Sequence, residues 1–299
     1  MSDIPNCNLL PPLGQLLNLK LLKVTGMNSI KKIDVDLYGG TRAFPRLEEF
    51  RIDGMKYLEE WNTAYPSEVF PCLRYVGIRH CPRLRFKRSP PRSKDLRVYS
   101  SDEVILSSSC GNIGNDGASA ATRLYVECCA VPLHQWSLLL HLPRLQHLWI
   151  VNCRDLSCSS PNFLRDLTSL RTLTVRGCES IGSLPERLGD LTSLLEIEIR
   201  DCKGIKTLPD SIQQLTRLQI LTVQDCESIV SLPETLGGLA SLTQLNILDC
   251  WSIKTFPNNI QKLTSLQRLE MFRCPKLVRW CKSEENKMKL AHVRNRHFS

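Results

Sequence analysis

Five consecutive 24-residue segments align without gaps from Leu167, and they constrain the fold more than any other feature of the chain. They read LTSLRTLTVRGCESIGSLPERLGD, LTSLLEIEIRDCKGIKTLPDSIQQ, LTRLQILTVQDCESIVSLPETLGG, LASLTQLNILDCWSIKTFPNNIQK and LTSLQRLEMFRCPKLVRWCKSEEN. A unit this short cannot bury its own apolar stripe, so each segment must stack on the next. In the first segment Leu173 and Val175 alternate with polar neighbours, as a strand with one buried face does. Leu170, Ile181, Leu184 and Leu188 fall at inward positions around the rest of the coil. Pro185 suits the first position of a short helical turn, and Pro209, Pro233 and Pro257 repeat it. Stacking at about 4.8 Å joins the strands into a parallel sheet and the leucines into one core.

The spacing L-x-x-L-x-L-x-x-N/C-x-L is the leucine-rich-repeat pattern. It continues upstream more loosely. Cys153 follows Leu145, Leu148 and Ile150; Cys129 follows Leu124 and Val126; Cys81 follows Leu73, Val76 and Ile78. Met55 and Met27 hold the same slot, and a degenerate rung has Leu96, Val98 and Ser101. The expected fold is an α/β repeat solenoid, a leucine-rich-repeat horseshoe of about eleven rungs. Its parallel sheet is concave and its convex side irregular or short-helical. The domain reading is irregular N-terminal repeats over 1–101, a Ser/Gly-rich inter-rung loop over 102–122, regular 24-residue repeats over 123–281, and a basic tail over 282–299. The last rung loses its proline, as capping repeats do. The first rung begins almost at once, which suggests a piece of something longer.

The cysteines Cys129, Cys153, Cys178, Cys202, Cys226, Cys250 and Cys274 form a ladder, one per rung. A small side chain with a weak S–H donor suits a slot where buried carbonyls need partners. One cysteine per rung has no preferred disulfide partner, and no C-x-x-C or H-x-x-x-H pair offers metal spacing. The fourteen cysteines therefore argue for a reducing interior rather than a disulfide scaffold. At 42% apolar and 23% charged residues the chain is not disordered as a whole. No uncharged apolar stretch of about 18 residues offers a membrane span, and no signal peptide is visible. The expected location is cytoplasmic, with the nucleus as an alternative.

The net charge of +9 is carried by two segments, Arg79–Arg97 and Lys276–Ser299. These read as solvated loops and tail, or as an electrostatic docking surface for an acidic partner. No nucleic-acid-binding motif is present, and that partner class is disfavoured. The solvent-facing strand positions supply the candidate protein-binding surface. Tyr75, Arg79, Arg97, Tyr99, Tyr125, His147 and Trp149 gather on neighbouring rungs, and a second group holds Leu248, Trp251, Arg268 and Phe272. Tyr, Trp and Arg are the residue types that dominate binding energy at interfaces. Asp201, Asp225 and Asp249 stack one per rung just before the cysteines. Their expected role is structural, through capping bonds to backbone N–H groups, with a basic partner as the alternative. No G-x-S-x-G, H-E-x-x-H or phosphate-loop motif is present, and the histidines form no constellation, so no catalytic, cofactor-binding or metal residue is assigned.

The strings LPPLGQLLNLKLLKVTGM, FPRLEEFRIDGMKYLEEW and FPCLRYVGIRHCPRLRF, with the repeats after them, resemble the C-terminal region of plant intracellular nucleotide-binding leucine-rich-repeat immune receptors. The close of the chain, Cys281 followed by Leu290-Ala291-His292-Val293, is similar as well. The resemblance implies recognition of a pathogen effector or a modified host protein. It also implies restraint of an upstream nucleotide-binding domain, where ADP or ATP would bind and which this sequence does not contain. A stand-alone cytoplasmic scaffold, adaptor or decoy using the same face is the alternative.

Overall fold

The computed structural model describes residues 9–63, 66–106, 120–156 and 164–299, and for 66 and 67 the backbone alone. The chain divides into two units, Met1–Val131 with Gln135–Leu145, and Pro132–His134 with Gln146–Ser299. The division falls later than the 102–122 segment proposed as the boundary.

The first unit contains β1 (Leu21–Thr25), β2 (Lys32–Ile33), β3 (Glu49–Asp53), β4 (Glu60–Trp61), β5 (Tyr75–Arg79), β6 (Arg85–Phe86), β7 (Asp95–Tyr99) and β8 (Arg123–Glu127). The five-residue strands β1, β3, β5, β7 and β8 pair in parallel in that order. The two-residue strands β2, β4 and β6 form a second parallel sheet. Leu21, Glu49, Tyr75, Asp95 and Arg123 are register partners. Their sequence separations vary, and inside these unequal coils a cluster of rings packs alongside buried leucines such as Leu47, Leu58 and Leu84. Phe44 stacks on Phe70 at 5.4 Å, Phe50 meets Trp61 edge-on at 4.9 Å, and Trp61 lies 5.8 Å from Phe86. The Trp61 indole N–H donates to the Tyr38 hydroxyl at 3.0 Å, and that hydroxyl donates to the Asn62 carbonyl at 2.7 Å. Both polar handles are thus satisfied inside an apolar cluster.

The second unit contains β9 (His147–Val151), β10 (Thr172–Arg176), β11 (Glu196–Arg200), β12 (Ile220–Gln224), β13 (Gln244–Leu248), β14 (Arg268–Phe272) and β15 (Asn295–Phe298), all parallel and in sequence order. Inward residues such as Leu173, Val175, Ile197 and Ile199 are buried, and their neighbours on the strand are more exposed. The other side of each coil is a short 3-10 turn such as Asp210–Gln214 or Glu234–Gly238. Pro209 and Pro233 stand one residue ahead of these turns, in extended backbone, rather than at the first helical position. The fixed proline φ suits the entry, and the carbonyls of Pro209 and Pro233 accept from Ile212 and Leu236 at 3.1 and 3.0 Å.

One backbone device recurs in both units. Gly26, Gly54, His80, Ser100, Cys128, Asn152, Gly177, Asp201, Asp225, Asp249 and Arg273 end the strands with φ between 46° and 65°. Within each unit, that left-handed corner turns N–H groups toward the following rung. Gly177 donates to Arg200, Asp201 to Gln224, Asp225 to Leu248 and Asp249 to Phe272, at 2.8–3.0 Å. Glycine, Asn and Asp occupy most of these positions because they tolerate the conformation best. The aspartate stack therefore serves the backbone through conformation, not through side-chain capping. Its charges are met at the surface: Arg176 pairs with Asp201 at 3.2 Å, the Gln224 amide donates to Asp225 at 3.0 Å, and Arg273 pairs with Asp249 at 3.4 Å.

The residue after each corner fills the inward slot. Cys178, Cys202, Cys226 and Cys250 are fully buried, and Cys274 nearly so. The Cys226 thiol donates to the Gln224 carbonyl at 3.2 Å and reaches the Ile199 carbonyl of the preceding rung at 3.8 Å. Cys250 does the same with Leu248 and Val223, and Cys274 with Phe272 and Ile247. Burial pushes the Cys226 and Cys250 thiols up to about 12. The described cysteines are all free thiols, with Cys72 and Cys128 exposed. Cys7, Cys110 and Cys158 lie outside the described residues.

Two segments differ from expectation. The 282–299 tail is built structure: a helix at Glu284–Lys289 and then β15, with Leu290 and Val293 buried. The end of a repeat stack exposes apolar surface that must be covered. The helices Pro275–Lys282 and Glu284–Lys289 stand at that end, and β15 continues the sheet. Inside 102–122, Asp102–Ile105 forms a helical turn with Val104 and Ile105 buried, and Ala121 is buried too. The Ser/Gly-rich part, 107–119, lies outside the described residues.

Candidate protein-binding face

In the first unit the outward residues of the long strands form three rows. Gly77, in the middle row of β5, has no side chain, and the Tyr75 ring lies over it: a Cβ there would stand 2.9 Å from the Tyr75 hydroxyl. The ring thereby enters the row between Arg51 and Arg97, whose guanidinium groups lie 5.3 and 5.4 Å from its centroid. Arg97 also lies 5.8 Å from the Tyr125 ring. The row thus alternates cation and ring: Arg51, Tyr75, Arg97, Tyr125. In the next row Arg79 sits 4.1 Å over Tyr99, whose ring is 5.3 Å from that of Tyr125.

The two cations of the first row, Arg51 and Arg97, are also held from the side. Arg51 donates to Glu49 at 2.6 Å. Arg97 makes two bonds to Asp95, at 3.3 and 3.2 Å, and this pairing holds its guanidinium well above its ordinary pKa. The Tyr125 hydroxyl donates to Glu127 at 2.9 Å. Burial first, and that carboxylate second, keep the Tyr125 phenol protonated beyond its usual range. Burial likewise raises Tyr75. The outward positions of these strands carry Lys23, Arg51, Arg79, Arg97 and Arg123 against Glu49, Asp53, Asp95 and Glu127. The face is nearly neutral, cross-linked by side-chain contacts and ring-rich. It suits shape-selective contact with a protein better than attraction of a polyanion.

The basic run Arg79–Arg97 is dispersed by the fold. Arg79 and Arg97 reach this face, Arg83 lies over Tyr57, Arg85 pairs with Glu103, and Lys87 pairs with Glu60 at 3.2 Å. No single docking patch results.

In the second unit His147 stacks on Trp149 at 5.7 Å, and its Nδ1 lies 2.8 Å from the Thr172 hydroxyl. The middle row continues with Thr174, Glu198, Thr222, Asn246 and Glu270. Asn246 donates to Thr222 at 2.9 Å, a small polar floor. Leu248 and Phe272 are register partners. Arg268 stands at the opposite end of β14 and pairs with Glu270 at 3.6 Å. Trp251, half exposed, lies in the turn beyond Cys250 and off the strand row. The second sequence group is therefore spread over strand ends and a turn. Among the described residues, no three His, Cys, Asp or Glu side chains are placed to hold a metal ion.

What the sequence reading missed here is Gly77. Its absent side chain lets Tyr75 cross from its own row into the next, and a glycine in a strand is the signal for such close approach. The aromatic packing of the first unit was also missed, because the leucine pattern does not report it.

Among solved structures, the chain is similar to the leucine-rich repeat domain of the type III effector XCV3220 (XopL), with a TM-score of 0.50 at 18% identity, over 87% of this chain and 77% of that one. This likeness concerns the fold alone. Among curated proteins it is similar to an Arabidopsis thaliana protein described as a disease resistance protein, At3g14460, 32% identical over 134 residues. That match covers 39% of this chain and 9% of the relative, so the chain spans a small part of the relative's length. No helix among the described residues is long and apolar enough to cross a membrane. The family profile described as Leucine-rich repeat region matches residues 125–294, more than half of the chain. With its strand–corner–cysteine rungs stacked in register, the chain belongs to the leucine-rich-repeat family, whose repeats form protein-interaction modules.

Proposed function

We propose that the chain is the protein-recognition region of a plant innate-immune receptor, and that it contacts its partner through the Arg51–Tyr75–Arg97–Tyr125 row. The partner class is a pathogen effector or the host protein an effector modifies. The observation that carries the reading is the alternation of guanidinium and ring, each cation fixed by its own carboxylate. Side chains held in place beforehand lose little freedom on binding, so more of the contact energy reaches affinity. The similarity to a disease resistance protein supports the receptor assignment. In that setting the chain works in the cytoplasm and restrains a nucleotide-binding domain on the same polypeptide. ADP and ATP bind that domain, not these repeats.

Proximity labelling in leaf tissue tests the face. Baits of the wild type and of a Tyr99→Ala/Tyr125→Ala variant with an unchanged circular dichroism spectrum are compared. Proteins enriched by the wild type and lost from the variant support the reading; the same set from both overturns it. The receptor assignment has its own test, the transcript read in frame upstream of Met1. A G-x-x-x-x-G-K-[ST] phosphate loop there supports a receptor, and a stop codon makes the chain a free adaptor or decoy.

A further inference from the structure

The first unit carries a second feature, away from the ring-bearing rows. The residue just before each long strand points along the sheet margin, and in β1, β3, β5 and β7 these residues are Lys20, Glu48, Arg74 and Lys94. With Arg46 and the exposed Cys72 they line a groove of about 470 Å³. Four cations and one carboxylate border it. Lys20 is paired with Glu48 at 3.7 Å, and Arg46 is held by Asn18 at 2.9 Å.

Arg74 and Lys94 differ from these. Neither side chain has an ionic or hydrogen-bonding partner among the described residues, whereas Arg51, Arg85, Lys87 and Arg97 of the same unit are each paired with a carboxylate. Their backbones are bonded directly, Lys94 N–H to Arg74 carbonyl at 3.0 Å. Adjacent parallel strands hold the two positions about 4.8 Å apart. Two unpaired like charges on neighbouring strands repel, and an anion between them turns that repulsion into attraction. A single carboxylate would satisfy one. A group with several oxygens and more than one charge satisfies both and can still reach Arg46 and Lys20.

We propose that this groove binds a small soluble anion carrying two or more phosphate groups. The fork of Arg74 and Arg46 matches phosphate oxygens, and the lysines add point charges. Among the described residues no aromatic ring lines the groove, so they offer a nucleobase nothing to stack on, and the phosphates themselves are what the site reads. The volume is that of a small-molecule site.

The test is isothermal titration calorimetry of the full chain with inorganic tripolyphosphate at physiological salt. The wild type is compared with an Arg74→Ala/Lys94→Ala variant and with a charge-matched Lys31→Ala/Lys32→Ala control, whose exposed lysines lie in the β2 segment. Saturable one-to-one binding, weakened at least tenfold by the groove variant and unchanged in the control, supports the site. No binding, or equal weakening in both variants, overturns it. Phosphatidylcholine vesicles with 10% phosphatidylinositol bisphosphate form a second arm. Binding to these vesicles with none to tripolyphosphate also overturns the proposal, because the cations would then serve a membrane surface rather than a soluble ligand.

Discussion

The backbone N–H of Asp225, held at φ 52°, donates to the carbonyl of Leu248 one rung on, at 3.0 Å. That bond closes the end of β12 onto β13, and its equivalents recur along the chain. The left-handed corner is what makes it possible. It explains why three successive carboxylates can stand in line: aspartate tolerates the corner, and Arg176, Gln224 and Arg273 manage their charge.

Replacing Asp225 with Val places a β-branched residue in that corner. The expected cost is about 1–2 kcal/mol, the usual penalty for a left-handed non-glycine residue. Asp225→Gly removes the steric penalty and is expected to change stability by less than about 1 kcal/mol. Urea unfolding midpoints of the two variants check the ordering. Equal midpoints would contradict the corner account.

Ser101 occupies the cysteine slot of the β7 rung. Its hydroxyl donates to the Tyr99 carbonyl at 2.9 Å and accepts the Cys81 N–H at 3.0 Å. Ser101→Ala leaves that buried N–H unpaired and is expected to cost about 1–3 kcal/mol. Ser101→Thr, which keeps the hydroxyl, tests the alternative that simple volume matters. Chemical denaturation separates the two outcomes.

The thiols of Cys81, Cys226, Cys250 and Cys281 are each pushed by burial from an ordinary 9.0 to about 12. In the folded chain they keep their protons where the unfolded chain has lost them. The stability they favour is therefore complete below pH 9 and falls as pH rises from 9 to 12. Each thiol adds a slope of about 1.4 kcal/mol per pH unit in that window. Thermal melts from pH 7 to 11 check the sign; a melting temperature that holds steady above pH 9 contradicts it. Among the described cysteines, iodoacetamide labelling followed by peptide mass spectrometry should modify Cys72 and Cys128 first, and the ladder thiols only after unfolding.

Gly77→Ala puts a methyl where the Tyr75 ring lies and forces the ring out from between Arg51 and Arg97. Stability should change by less than about 1 kcal/mol, because a ring at a half-exposed site can move. Partner affinity should fall about tenfold or more, the scale of a displaced interface anchor. Proximity-labelling yield against melting temperature separates these effects. A parallel loss of both would make Gly77 a stability residue only.

The sequence was most legible where its period was strict. The outward rows of β10 to β14 follow from the 24-residue spacing, since Leu173 and its equivalents can face only the core. The looser rungs gave their strand registers through Leu47, Phe50 and Ile52 but not their interiors. Phe44, Phe70 and Trp61 fill coils of unequal length, and no period marks them. The cap was hidden for a different reason. Leu290 and Val293 are isolated apolar residues in a basic stretch, and only the open end of the stack gives them something to cover. Tyr99 and Tyr125 were readable as neighbours, whereas Trp251 was misplaced because the corner after Leu248 turns the chain away from the strand row.

The most direct test of the recognition surface is site-specific photo-crosslinking in leaf tissue. A benzophenone amino acid is placed at position 123, beside the ring row on β8, or at exposed position 56 away from it. The account predicts a discrete protein adduct from position 123 that disappears in an Arg97→Ala background, and no such adduct from position 56. Identical adducts from both positions, or an adduct at 123 that survives Arg97→Ala, would contradict it.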